Sequence, residues 1–195
     1  MATFGYGTLG NFYYPGSPDT YLYGGTTNKS CIRGSKFSLP EAGILQSITA
    51  WIKWSDKDSQ IRFGVYDSNL DKVAETSVYT KGGADAWESI ELTIDLTTNP
   101  SVDAGDYWLV AIGAHDDFLY IMMANSAGDA DQGLYKKPGV TTTDLPNSIS
   151  GHTLKNFKFS IYCTYTPEGG GGGGNLTLEN KSANMAAKMV AAGLI

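Results

Sequence analysis

The residues best suited to chemistry are His115, followed by Asp116 and Asp117 in GAHDDF, and His152 in SGHTLK. An imidazole beside two carboxylates is raw material for a metal site or an acid–base pair. The surrounding pattern argues against both. The sequence holds 2 histidines, and no HExxH, GxSxG or Cys–His signature surrounds them, so both are expected in polar loops between strands. DSNLDK places Asp67, Asn69 and Asp71 at alternate positions, as at the start of a calcium loop. The sixth and twelfth positions, where an EF-hand needs Gly and Glu, are Lys72 and Val78. A calcium site of another kind at Asp129 and Asp131, or at Asp56 and Asp58, stays open, with carboxylates in hairpin turns as the simpler reading. The expectation is a non-enzyme with no cofactor. Aromatic side chains are the better candidates for binding. Trp51 and Trp87 fall on the polar phases of their strands, Trp54 ends a strand at a turn, and Tyr21 and Tyr23 crowd the N-terminal loops with Tyr13 and Tyr14. Exposed rings stack on sugar faces or bury at interfaces, whereas rings at strand ends also cap sandwich edges.

The elements that must position these rings read as strands. GILQSITAWIKW alternates Ile44, Gln46, Ile48, Ala50 and Ile52 against Leu45, Ser47, Thr49, Trp51 and Lys53, the pattern of a half-buried strand. QIRFGVYD and KVAETSVYT form a hairpin around the DSNLD turn. SIELTIDL alternates cleanly. DYWLVAIGA is apolar on both phases and predicts a central strand covered on both faces, FLYIMMAN is similar, and FKFSIYCTYT closes the body. Residues 125–156 read as loops around one short strand near Leu134 and Tyr135, serving function or assembly rather than the core. Helical periodicity is missing from residues 1–167. Strands separated by Gly, Asn, Asp or Pro every 10–15 residues predict an all-β fold, an antiparallel β-sandwich of jelly-roll type.

Past this body the composition changes. Gly169–Gly174 form an unbroken glycine run within a linker over 168–175, flexible and spanning roughly 12–15 Å. It lacks the Lys-Ser/Thr of a phosphate loop. Residues 176–195 predict a short helical tail, with Asn180 or Ser182 as N-cap. The tail is apolar nearly all round, with Met185, Ala186, Met189, Val190 and Leu194 as the expected contact residues. Such a helix does not sit alone in water, and it is too short to span a bilayer. The expected partners are other copies of the chain or other proteins of an assembly.

Net charge is −6 over 195 residues, with a pI near 4.8 and no basic cluster. This argues against nucleic acid as a partner. MATFGYGTLGNFYYPGS has no basic region followed by an apolar one, so a secretory signal is not expected. Cys31 and Cys163 are the 2 cysteines. Cys163 lies on the apolar phase of its strand and is expected as a small buried hydrophobe, with a Cys31–Cys163 disulfide as the alternative.

SKFSLPEAGILQSITAWIKW, VYDSNLDKVAET, AGDYWL and SIYCTYTP together resemble jelly-roll modules of phage structural and tail-associated proteins and of prokaryotic surface proteins. The likeness covers about residues 30–167 and departs at Cys163, where those modules have a small residue. It implies the fold, and no catalytic residue comes with it. Combined with the tail, it implies a structural or adhesive protein of an extracellular particle such as a phage virion, in capsid decoration, a head fibre or the tail apparatus. Synthesis would be cytoplasmic, without a signal peptide, and host surface glycans become a possible partner. A carbohydrate-binding module of a secreted or surface protein is the alternative.

Overall fold

Alternating apolar and β-branched residues set the strands, and a computed structural model describes residues 1–8, 21–23, 30–54, 58–82, 88–114, 119–121, 128–136 and 143–168. In chain order the strands are β1 (Ala2–Gly5), β2 (Tyr21–Tyr23), β3 (Ile32–Leu39), β4 (Gly43–Trp54), β5 (Gln60–Tyr66), β6 (Lys72–Glu75), β7 (Tyr79–Thr80), β8 (Glu88–Asp95), β9 (Ser101–Val102), β10 (Gly105–Ala114), β11 (Leu119–Ile121), β12 (Gly133–Lys136), β13 (Thr153–Lys155) and β14 (Ile161–Pro167). No helix occurs among the described residues. The expected glycine linker from Gly169 onward and the tail with Met185, Ala186, Met189, Val190 and Leu194 lie outside them.

The strands form two antiparallel sheets packed as a β-sandwich. The first runs β1-β14-β4-β11-β2, with β8 and β9 also on β4; the second runs β13-β12-β3-β10-β5-β6, with β7 on β5. The long strands β3, β4, β5, β8, β10 and β14 alternate between the sheets in chain order. Between the sheets lie Phe37, Leu39, Ile61, Phe63, Val65, Leu109 and Ala111 from one side. Leu45, Ile48, Ala50, Ile52, Leu92, Ile94, Ile161, Cys163 and Tyr165 come from the other. Removing these side chains from water is the main term holding the sheets together.

Strand β10 is central, paired to both β3 and β5, as its doubly apolar sequence predicts. Leu109 and Ala111 face the inter-sheet core. Trp108, Val110 and Ile112 face outward into a second cluster with Ile32, Tyr66, Leu70, Leu134, Leu145 and Ile149. Gly34 lets β3 lie tightly against this strand, because a side chain there would strike the Leu109 carbonyl and Val110.

Three expectations change. Ile44 is 37% exposed while Leu45 is fully buried, the reverse of the uninterrupted alternation. The pairing of β14 with β4 steps from Thr164↔Ser47 to Tyr165↔Leu45, which leaves Gln46 as an extra residue. Such a bulge flips the phase of everything before it. Residues 143–149 are also more than a functional loop. They lie as a strap over the outer face of the second sheet, where Leu145 and Ile149 are buried. The Tyr66 hydroxyl donates to the Pro146 carbonyl at 2.6 Å, Lys72 Nζ donates to the Leu145 carbonyl at 3.1 Å, and the Ile149 amide donates to Leu70 O at 2.9 Å. Around Leu134 and Tyr135 there are two short strands, β12 and β13, rather than one. Cys31 and Cys163 are both buried and are not joined by a disulfide.

Candidate ligand-binding faces

Because Ile48, Ala50 and Ile52 point into the core, Thr49, Trp51 and Lys53 point out of the first sheet. Trp51 is half-buried and pairs across the strands with Glu91. Its backbone N–H donates to the Ser160 carbonyl at 3.0 Å, while its indole N–H is buried with no hydrogen-bond partner. On the next strand Tyr162 sits opposite Thr49 and its hydroxyl donates to Glu91 Oε1 at 3.3 Å. Thr49 and Thr93 share a hydrogen bond of 2.8 Å between their hydroxyls. At the rim, Lys158 Nζ lies 4.9 Å from the centre of the Tyr6 ring. This face joins two partly exposed rings, a carboxylate and two hydroxyls.

The other expected aromatics fare differently. Trp54 is 1% exposed and stacks on Tyr79 with centroids 5.6 Å apart and planes at 6°. It is a core residue, not a binding platform: its strand end faces inward, on the same phase as Ile52. Tyr21 and Tyr23 lie on β2, whose backbone pairs with β11; their side chains, and Trp87 and His115 entirely, are outside the described residues.

The carboxylates of DSNLD stabilise their own turn. Asp67 Oδ1 accepts the Asn69 amide at 2.8 Å and the Asp71 amide at 3.0 Å, the local bonding that favours Asp in turns. Asp131 donates its amide to Asn156 Oδ1 at 3.3 Å, and Asp56 lies outside the described residues. Among the described residues no group of three or more His, Cys, Asp or Glu converges to hold a metal.

A second concavity, unexpected from the sequence, lies on the outer face of the second sheet. Lys36, Ser38 and Asp106 come from paired strands, with Asp106 opposite Ser38 and Trp108 opposite Lys36. The 128–132 turn forms a wall, and the cleft it encloses measures about 270 Å³. Gln132 fixes this wall. Its Oε1 accepts the Asp129 amide at 2.9 Å, and its Nε2 donates to the Lys36 carbonyl at 3.2 Å. Sequence reasoning missed Tyr162, although its place opposite the Ile161/Cys163 phase marks it as outward-facing. It had no means of pairing Asp106 with Ser38 across 68 positions.

Ionisation is shifted where burial dominates. Burial pushes the Cys163 thiol up to about 12, which leaves it protonated and chemically quiet. Burial, reinforced by the Glu75 carboxylate, raises the Tyr66 phenol above its ordinary value. No protein-family model matches the chain, and no curated protein matches it.

Proposed function

We propose that the chain is a non-enzymatic structural or adhesive protein of an extracellular particle, a phage virion above all. In this reading a jelly-roll body is displayed outward and residues 176–195 dock into the assembly. The observation that carries the reading is where the body releases the tether. Pro167 pairs with Gly43, the Glu168 amide donates to the Ala42 carbonyl at 2.8 Å, and Ser101 Oγ donates to Glu168 Oε1. The chain therefore leaves from one firmly bonded end of the sandwich, beside Ala2, which pairs with Tyr165. The opposite end is formed by Trp54 of β4 and by Ala114 of β10, which pairs with Gln60. Strand β4 alone separates the two ends by about 35 Å at the usual rise per residue. A body tethered at one pole suits display. The alternation of long strands between sheets, with β10 inserted between β3 and β5 and β4 between β14 and β8, supports the jelly-roll assignment.

The alternative, a carbohydrate-binding module of a secreted or surface protein, is favoured by the outward face holding Trp51, Tyr162 and Glu91. The two readings separate on purified extracellular particles from the organism that encodes the chain. Mass spectrometry finding it as a stoichiometric particle component supports the first, and its absence from particles alongside free secreted protein overturns it.

A further inference from the structure

We propose that the cleft between β3 and the 128–132 turn binds a neutral sugar ring through its vicinal hydroxyls, a proposal that rests on the adhesive side of the function above. The cleft is lined by Lys36, Phe37, Ser38, Asp106, Asp129, Ala130 and Gln132 and offers about 270 Å³ in an open groove, room for a small polar ligand. Its chemistry selects among ligand classes. Two carboxylates disfavour an anion. A hard cation wants several oxygens and no ammonium, whereas here Lys36 shares the cleft with only Asp106 and Asp129. A purely apolar ligand would cover Phe37 and Ala130 but leave Lys36, Asp106 and Asp129 desolvated without partners. A polyol satisfies all these groups together: each hydroxyl donates to a carboxylate and accepts from the ammonium.

The site is also built in advance. Ser38 Oγ donates to Asp106 Oδ1 at 2.5 Å, which orients that carboxylate and leaves its second oxygen for a ligand. The nearly buried Gln132 locks the wall that carries Asp129, and Lys36 Nζ is kept 5.7 Å from the Trp108 ring centre. Groups fixed before binding lose less freedom when the ligand arrives.

The test is saturation-transfer NMR of the full chain against the methyl glycosides of glucose, galactose, mannose and N-acetylglucosamine, with calcium and inorganic phosphate, which carry no proton for this readout, titrated by calorimetry. At least one glycoside is expected to bind. Asp106→Asn, which keeps the acceptor for Ser38, weakens that binding about tenfold, the equivalent of one charge-assisted hydrogen bond. Ala130→Trp, at an exposed turn position, abolishes it, and Asp95→Asn, exposed on β8 of the other sheet, leaves it unchanged. The proposal is overturned if no glycoside binds, if binding survives Asp106→Asn and Ala130→Trp in chains that retain their β spectrum, or if it is lost in Asp95→Asn instead. Binding of calcium or phosphate that shows the same response to the variants overturns it too. Particle attachment through residues 176–195 is read separately, so a chain that attaches but binds no glycoside removes the cleft proposal and leaves the particle reading standing.

Discussion

Replacing Trp54 by Ala separates a packing role from a binding role. The indole is 1% exposed and stacked on Tyr79 at 5.6 Å, as part of the main core. Truncating a buried large aromatic costs about 3–5 kcal/mol, from lost transfer energy and the cavity left behind. The stacked pair contributes about 0.5–1.5 kcal/mol of its own. Domains of this size hold only about 5–15 kcal/mol in total, so the variant loses a large share of its stability. At about 2–4 °C per kcal/mol for a chain of this length, the melting temperature falls by roughly 6–20 °C. Trp51→Ala, at a half-exposed position, lowers stability by only about 1 kcal/mol. Urea unfolding followed by circular dichroism, with calorimetry as a check, gives both values. A Trp54→Ala variant within about 1 kcal/mol of the parent would refute the packing assignment. It would return Trp54 to the list of binding rings.

Tyr66→Phe removes the donor to the Pro146 carbonyl and lowers stability by about 1–2 kcal/mol near neutral pH. Burial raises the Tyr66 phenol in the folded chain above its ordinary value of 10.0. The stability it confers is therefore complete below that value and lost as pH rises past it. The gap between parent and variant in urea midpoints narrows on going above pH 10.0, and a gap that is constant or widening refutes the strap assignment. The Cys163 thiol, pushed up to about 12 by burial, stays unreactive toward a disulfide reagent at mildly alkaline pH in the folded chain and reacts once the chain is unfolded. Rapid labelling of Cys163 in the native protein, mapped by peptide mass, contradicts its place in the core.

How much of this was legible in the sequence depends on the range of the interaction. The hairpin of β5 and β6 was readable because Asp67 and the residues it bonds are within a few positions of each other. The central position of β10 was readable because burial on both faces leaves apolar residues on both phases. The phase flip at Gln46 was not, since a bulge is a property of a pair of strands and β14 lies more than a hundred residues away. The strap over the second sheet was hidden for a related reason: Leu145 and Ile149 are two apolar side chains in a polar stretch, and their value comes from Tyr66, Trp108 and Val110 beneath them. Trp54 misled because a ring at the end of a strand looks exposed until Tyr79 is found against it. The Trp51 face was half legible, by phase alone. The cleft at Asp106 depends on strand pairing and a distant turn, which no local pattern encodes.

The tail is the centre of the functional account, and particle occupancy tests it most directly. Cells producing the particle are supplied with either the full chain or residues 1–168 alone, and the bound copies are counted by mass spectrometry of purified particles. Met189→Asp in the full chain serves as a point probe. Burying Met185, Met189, Val190 and Leu194 is worth roughly 1.5–3 kcal/mol per side chain, less the entropy of ordering the segment. The account predicts a folded, soluble 1–168 body that is absent from particles, and occupancy reduced nearly as far by Met189→Asp. Equal occupancy of particles by the full chain and by residues 1–168 would contradict it.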